Sequence, residues 1–368
     1  MMKIIQMYEE LDNLFPKNYH DFIKLIPRCK QFDPNQIALI YKALYKAMEL
    51  HEGQVRKTGE PYINHPIAVA GILAAYGFDY ETICAALLHD TVEDTAYTLE
   101  ECKRDFGPSI ASLVDNVTKI GKGVNEPTHI KLIKSAEKDI RAIAIKLADR
   151  LHNLLTLYIF SEDKIYKKAN ETLNFYVPIT KILGIYRLKD LFQDLCLYYL
   201  NNESFFKFKE KRDILKIRSN NKLRELADAT QEDLSKMGIS MYYNYRVKNI
   251  GGIYEEVLTG KEIDDIEDLF AIKMVVKEPM ICYQTLGVVH KYGKPTLGGV
   301  QDFISSPKSN GYKSLNTNIT YKDLKVQTRI RSEDMQKVND MGVFSDLNSD
   351  TQKNVTKQMC KELMKLAG

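Results

Sequence analysis

From Ile37 to about Leu200, apolar residues recur at spacings of three and four, with Pro or Gly at the joins, and this pattern predicts a succession of helices. Pro66 opens one (IAVAGILAAYG), Glu81 or Thr82 starts the next (ETICAALLHDTVED), and Pro108 opens a third (PSIASLVDNVTKIG). Proline suits these places because a first helical turn makes no use of its missing N–H. The stretch GKGVNEPTHIK, residues 121–131, reads as a loop before a longer helix. After Asn201 the pattern changes. A lysine- and arginine-rich helical connector gives way to β-branched and aromatic runs, ISMYYNYRV, DLFAIKMVV, SLNTNITY and LKVQTRI, which predict strands. The tail after Ser345 is helical and polar again, and no internal repeat or low-complexity segment interrupts the chain. The expected organisation is an all-α domain over 1–195, a helical connector over 196–235, an α+β domain over 236–345 and a helical tail over 346–368.

Composition narrows the class of partner. A chain of 368 residues, 44% hydrophobic, is long enough for two domains that each bury a core. Its 52 basic and 49 acidic residues leave a net charge of +3, which supplies no field-wide attraction for DNA or an anionic membrane. An anionic ligand must therefore be gripped locally. Six cysteines, at 29, 84, 102, 196, 282 and 360, lack the short paired spacing of a zinc site or disulfide framework and read as reduced thiols. The N-terminal MMKIIQMYEELDNLF mixes acids into its apolar positions, and no stretch approaches the run of about 20 apolar residues that a membrane span needs. Neither export nor anchoring is expected, and the cytoplasm is the expected compartment.

Candidate chemistry begins in the first half. A lone His-Asp pair such as His89-Asp90 carries little information, but His65 lies just before a helix-opening proline, His89-Asp90 end an apolar helix, and Asp149 lies within AIKLADRLHNLLTL. Two histidines and two aspartates form a mixed nitrogen and oxygen set suited to a borderline divalent ion, with positions left open for water and a phosphate oxygen. At about 100° per residue, Lys146, Asp149, Asn153 and Thr156 share one helical face, and Leu147, Leu151, Leu154 and Tyr158 take the opposite side. Arg56 and Lys57 stand side by side before Thr58-Gly59 on a turn, a pairing suited to the several charges of a pyrophosphate. Glu93 and Asp94 follow the His-Asp pair by four residues. If the helix persists, His89 and Glu93 share a face, as do Asp90 and Asp94. Paired carboxylates beside a metal orient water or protonate a leaving oxygen. His152 reads as a support for the cluster in preference to a ligand, and His51 as a packing or hydrogen-bonding residue.

Four stretches, HEGQVRKTGEPYINHP, ALLHDTVEDT, FGPSIASLVDNVTKIGK and IKLADRLHNLLTL, resemble the hydrolase domain of the RelA/SpoT family of stringent-response enzymes. They cover most of residues 50–185, with weaker similarity through NETLNFYVPITKILGIYRLKDL. The resemblance implies an all-α HD-type hydrolase domain followed by an α+β nucleotidyltransferase-like domain, a mixed sheet with flanking helices. It implies His65, His89, Asp90 and Asp149 as ligands of manganese (Mn2+), and Arg56, Lys57 and Thr58 as nucleotide contacts. Asn153 and Thr156 become further pocket residues, with Lys146 beside them on the polar face. Glu93 and Asp94 fall where hydrolytic members carry an acidic pair. The implied activity is removal of the 3′-pyrophosphate from guanosine tetra- and pentaphosphate (ppGpp and pppGpp).

The family's synthetase domain, which transfers pyrophosphate from ATP to GDP or GTP, is resembled over about 240–340 by YRVKNIGGIY, IEDLFAIKMVV, HKYGKPTLGGVQDFISSPKSNGYKSLNT and, less cleanly, VQTRIRSEDM. Arg246, Lys248, Asp268, Lys308 and Tyr312 match the motif in residue type. Glu256 replaces a lysine, Gly299 and Gln301 replace an arginine and a lysine, and Asn316 replaces a histidine. Gln327 falls at the catalytic glutamate, or Lys325 under a shifted alignment; neither coordinates magnesium as a carboxylate does. Pyrophosphoryl transfer depends on cationic positioning, so the lost charges predict a vestigial synthetase site. The chain ends soon afterwards, leaving no expected place for the C-terminal regulatory domains of long members. Three alternatives remain open: a bifunctional synthetase and hydrolase, a non-catalytic nucleotide sensor, and an HD phosphohydrolase for other nucleotides.

Overall fold

The computed structural model describes residue 16 and residues 18–121, 128–345 and 350–367. By contacts the chain divides into two units, Met1–Lys168 with Thr356–Gly368, and Ala169–Val355. The first unit is all helical. In order it contains α1 (Tyr19–Leu25), α2 (Pro34–Leu50), α3 (Asn64–Ala75), α4 (Tyr80–Leu88), α5 (Thr91–Asp94), α6 (Leu99–Phe106), α7 (Pro108–Gly121), α8 (Thr128–Lys138) and α9 (Arg141–Leu155). The next helix, α10 (Glu162–Glu171), crosses the division.

At the centre of this unit lie α3 and α4. Residues His65 to Ala74 of α3 and Thr82 to Leu88 of α4 are buried throughout. Helices apolar on every side belong in the middle of a domain. Asp79 caps α4, its carboxylate accepting from the Thr82 amide at 3.0 Å and the Thr82 hydroxyl at 2.8 Å, so the helix starts earlier than Glu81 or Thr82 suggests. Pro66 is the third residue of α3 and still within the tolerant first turn. Sequence pattern alone overlooks α2's start at Pro34 and the separate α6. Both carry reciprocal N-terminal caps, Asp33 with Gln36 and Thr98 with Glu101, each contributing about 0.5–2 kcal/mol.

The structure departs from the sequence pattern at three places. The helix through His89-Asp90 does not persist: α4 stops at Leu88 and a separate four-residue α5 begins at Thr91. The His89 ring donates to the Ala86 carbonyl at 2.7 Å and the Thr91 hydroxyl to the Leu88 carbonyl at 2.7 Å, so side chains compete for acceptors at the helix end. The polar face on α9 is shorter than its periodicity implies. Leu147, Leu151 and Leu154 are buried, but α9 ends at Leu155, Thr156 caps it, and Tyr158 lies exposed in the following 3-10 turn. The loop expected at 121–131 is narrower, because helix reaches Gly121 and resumes at Thr128; residues 122–127 lie outside the described residues.

The second unit is α+β. After a π turn at Thr172–Tyr176 come α11 (Val177–Ile182), α12 (Tyr186–Leu200) and the 35-residue α13 (Asn202–Lys236), which takes the place of the expected connector. There follow β1 (Met241–Val247), α14 (Ile250–Leu258), β2 (Phe270–Val276), α15 (Pro279–Tyr292), β3 (Lys294–Asp302), β4 (Leu315–Tyr321), β5 (Leu324–Ser332) and α16 (Glu333–Met341). The sheet order is β1-β2-β5-β4-β3. Only β2 and β5 pair in parallel, with Phe270 opposite Val326; the other pairs are antiparallel, so the sheet is mixed. Apart from Lys273, β2 is buried throughout, as expected of a central strand covered on both faces. The edge strand β3 was not anticipated. Pro295, Gly298 and Gly299 suppress its strand pattern, and its register with β4 shifts between Pro295 and Val300. The tail forms α17 (Asp350–Ala367), which crosses the division; residues 346–349 lie outside the described residues.

Candidate active site

Three helix positions converge in the first unit: His65 in the first turn of α3, His89-Asp90 at the end of α4, and Asp149 on α9. Their separation in sequence is bridged by the burial of the α3 and α4 bodies. One ligand atom from each of His65, His89 and Asp149 lies within 4.8 Å of the others. His65 Nε2 is 3.3 Å from Asp149 Oδ1 and 3.6 Å from Asp90 Oδ2, and His89 Nε2 is 3.2 Å from Asp90 Oδ1. Asp90 thus touches each histidine with a different oxygen.

Hydrogen bonds define which ring nitrogens face the cluster. A carbonyl only accepts, so His89 Nδ1 carries the proton it gives to Ala86, which leaves Nε2 as the ring nitrogen facing the cluster and, in the neutral ring, the one with the lone pair. That Nε2 is buried and has no hydrogen-bond partner among the described residues. Arg56 only donates, so His152 Nδ1, 2.9 Å from its guanidinium, is an acceptor. His65 Nδ1 lies 2.9 Å from the same nitrogen and must donate to it, which leaves the His65 Nε2 lone pair facing Asp90 and Asp149. Two imidazole lone pairs gathered with two carboxylates repel one another unless a cation lies among them. The donor set therefore fits a divalent metal ion.

The pKa directions of His65, Asp90 and Asp149 agree with that reading. Burial holds the His65 imidazole below its usual value, against the pull of Asp149 and Asp90. Burial also works to raise Asp149, but the Lys146 ammonium and His65 outweigh it and keep the carboxyl well below the ordinary range. Asp90 is likewise lowered, burial being overcome by His89 and His65. Neutral imidazoles and ionised carboxylates are the forms that ligate metals.

The remaining predicted residues divide into those drawn to the cluster and those that are not. Arg56 forks, one nitrogen to His152 and the other to Asn153 Oδ1 at 2.8 Å, and Asn153 Nδ2 donates to Asp149 Oδ1 at 2.5 Å. Lys146 Nζ lies 3.5 Å from Asp149 Oδ2. The Arg56-Lys57-Thr58-Gly59 turn closes with Gly59 N donating to Arg56 O at 2.9 Å, and its φ of +85° suits glycine. Lys57 is exposed and packs its ammonium 5.3 Å from the Phe160 ring centroid, and the Thr58 hydroxyl is buried without a partner among the described residues. Thr156 directs its hydroxyl to the backbone carbonyls of His152 and Asn153 at 3.3 and 3.4 Å. Glu93 and Asp94 are exposed on α5, and Asp94 is tied to Asp90 through Tyr62, a residue that sequence reasoning missed. Burial raises the Tyr62 phenol, reinforced by Asp90, so it is a neutral donor at ordinary pH.

A second cluster occupies the sheet unit. Lys248 donates to Asp268 at 2.5 Å and Glu256 at 3.3 Å, and Lys261 holds the other Glu256 oxygen at 2.7 Å. Asp268 also lies 3.5 Å from Arg329, whose Nε donates to Gln327 at 2.6 Å. Lys325, two residues earlier on the same face of β5, pairs instead with Asp265 at 2.9 Å. Arg246 stands 3.9 Å from Asp190. The Tyr312 hydroxyl accepts from Arg331 at 3.1 Å and donates to Asn316 at 3.4 Å, while Lys308 lies 5.1 Å from its ring centroid. Burial would raise this phenol, but Arg331 and Arg329 bring it down to about 8.

Comparison with known proteins places both halves. The HD domain model matches residues 43–186, and the model described as a region found in RelA / SpoT proteins matches residues 245–354. The chain belongs to the RelA/SpoT family. It is 38% identical over 306 residues to a guanosine-3′,5′-bis(diphosphate) 3′-pyrophosphohydrolase of Haemophilus influenzae, an alignment that covers 81% of this chain and 45% of that protein. Against the bifunctional (p)ppGpp synthase/hydrolase SpoT of Escherichia coli it is 37% identical, over 84% of this chain and 45% of the relative. Against a GTP pyrophosphokinase of Myxococcus xanthus it is 36% identical, over 86% and 44%. This RelA/SpoT chain therefore spans about 45% of the length of the curated relatives it matches. Within this RelA/SpoT fold the HD half supplies the His/Asp cluster and the mixed-sheet half supplies the Lys248 and Tyr312 networks. Among the described residues, no helix is long and apolar enough to cross a membrane.

Proposed function

We propose that this chain hydrolyses the 3′-pyrophosphate of ppGpp and pppGpp, giving GDP or GTP and pyrophosphate, at the cluster of His65, His89, Asp90 and Asp149 with manganese as its resident cation. The observation that carries the reading is His89 Nε2, a buried lone pair without a hydrogen-bond partner beside two carboxylates and a second imidazole lone pair. A bound divalent cation supplies the positive charge that activates water and offsets phosphate charge. The chain's own residues do the rest. Arg56 and Lys57 bind the diphosphates, with Thr58, Lys146, Asn153 and Thr156 lining the substrate side. Glu93 and Asp94 orient the attacking water and return a proton to the leaving oxygen. The functional division we propose is 1–195 for the hydrolase domain, 196–235 for the connector, 236–345 for the synthetase-like domain and 346–368 for the tail. The partner is a small nucleotide, with no DNA and no membrane, and the compartment is the cytoplasm.

In the second domain we propose an inactive synthetase site. Lys248, matched to the family motif, has both Asp268 and Glu256 as counter-ions, and Gln327 takes the place of an acid. Losing three cations and gaining an acid removes several charge-assisted hydrogen bonds, at roughly 1.5–3 kcal/mol each. A bifunctional enzyme is the second reading, favoured by retention of Arg246, Lys248, Asp268, Lys308 and Tyr312 and by the names of two of the relatives. The substrate is tested by presenting ppGpp, pppGpp, ATP, GTP and deoxynucleoside triphosphates to the manganese-loaded protein and resolving products chromatographically. GDP and GTP are expected from the first two alone; faster cleavage of ordinary triphosphates would identify a general HD phosphohydrolase instead.

A further inference from the structure

Tyr62 lies three residues before His65, and its phenol oxygen is 2.8 Å from Asp90 Oδ2 and 3.0 Å from Asp94 Oδ2. Ionised carboxylates accept and do not donate, so the single phenol proton serves both. Asp90 belongs to the metal cluster and Asp94 to the exposed acidic pair. Among the described residues, Tyr62 is the one side-chain partner of Asp94. An exposed aspartate on a four-residue helix would otherwise sample several rotamers.

The hydroxyl's own place does not depend on the carboxylates it joins. The Tyr62 ring stacks on His51, with centroids 4.7 Å apart and planes at 29°, and meets His65 edge-on at 6.2 Å. His51 is buried and fixed by its Nδ1 contact to Gln54 Oε1 at 2.8 Å. The Tyr62 amide donates to Gln54 O at 2.9 Å, and the His65 amide donates to Tyr62 O at 2.9 Å. Backbone and ring thus place the phenol oxygen in advance, and the two carboxylates come to it.

We infer that Tyr62 is a positioning residue that couples the ligand Asp90 to Asp94, setting the carboxylate of Asp94 relative to the metal cluster. The inference rests on the proposed hydrolase reading and adds to it a residue that acts through two carboxylates without touching phosphate. A hydrogen bond to a ligating carboxylate fixes its orientation, and losing such a contact weakens metal affinity by about 10–100-fold.

Tyr62→Phe removes one oxygen and keeps the ring stack on His51, so folding is preserved. The expected result is an Mn2+ affinity about tenfold weaker by calorimetric titration. At saturating Mn2+, kcat on ppGpp falls about tenfold with KM nearly unchanged. Adding Asp94→Asn to Tyr62→Phe should then cost less than it does in the wild type, because the two groups act as a unit. A residue that merely packs would move neither readout, since the ring remains. Wild-type kcat together with wild-type Mn2+ affinity in Tyr62→Phe overturns the inference. If the wild type itself releases no pyrophosphate, the hydrolase reading fails separately. The Mn2+ affinities then decide alone: a weakened Tyr62→Phe supports the coupling and an unchanged one rejects it.

Discussion

Arg56 donates from its guanidinium to Nδ1 of His152 at 2.9 Å, joining a turn near the start of the first unit to a helix 96 residues further along. Its other terminal nitrogen reaches Asn153 at 2.8 Å. A lysine has one nitrogen and no planar fork, so it cannot hold both contacts. Arg56→Lys should raise KM for ppGpp by about tenfold or more with a smaller change in kcat, each tenfold being about 1.4 kcal/mol. Steady-state kinetics at saturating Mn2+ check this, and an unchanged KM would remove Arg56 from the proposed phosphate grip.

His152 supports the cluster from behind. Its Nδ1 accepts from His65 Nδ1 at 2.9 Å as well as from Arg56, and so keeps His65 Nε2 toward the carboxylates. Burial, with His65 and Arg56 beside it, holds His152 well below its usual pKa, and the ring stays neutral and able to accept. His152→Ala should weaken Mn2+ binding by about 10–100-fold while the helical circular dichroism persists. Equal metal affinity in the variant would contradict the tautomer assignment.

Tyr312 offers a spectroscopic test in the second domain. Its phenol is brought down to about 8, burial being outweighed by Arg331 and Arg329, against an unfolded value of about 10. A lowered folded pKa makes this group's contribution to stability full above the unfolded value and lost as pH falls through the folded one. The stability difference between wild type and Tyr312→Phe should therefore grow in favour of the wild type from about pH 8 to about pH 10. The chain has 22 tyrosines and no tryptophan, so tyrosinate absorbance reads the titration without indole overlap. Wild type minus Tyr312→Phe should give one transition near 8; a featureless difference would refute the assignment.

The second site is expected to be silent in synthesis. With Lys248 bonded to Asp268 and Glu256, its charge is already answered within the fold. Incubating the Asp90→Ala protein with ATP, GDP and magnesium avoids loss of product by hydrolysis. No 3′-pyrophosphorylated guanosine nucleotide should accumulate, and steady accumulation would favour the bifunctional reading.

The order of helices and strands was legible because burial imposes period. The α3 and α4 runs are apolar on all sides, and β2 is a central strand with a nearly unbroken apolar pattern. The meeting of His65, His89, Asp90 and Asp149 was also legible, since residue type and helical context pointed to one donor set. What was hidden depends on side-chain competition and close approach. The break after Leu88 follows from His89 and Thr91 taking backbone carbonyls, and Thr156 became a cap by bonding backward in the same manner. The Tyr62 bridge needs a turn and two helices in place before its distances exist. The EPY segment already held the signal, a phenol close in sequence to His65. The edge strand β3 was hidden because its glycines and proline carry no alternating pattern.

The proposed hydrolase requires that the His/Asp cluster bind a cation that drives pyrophosphate release. Its most direct test is pyrophosphate release from ppGpp by the chelator-treated protein, measured as Mn2+ is added back, with Asp90→Ala alongside. No release is expected without Mn2+, with saturable recovery in the wild type and none in Asp90→Ala at any Mn2+ concentration. Release that ignores both the metal and Asp90 would contradict it.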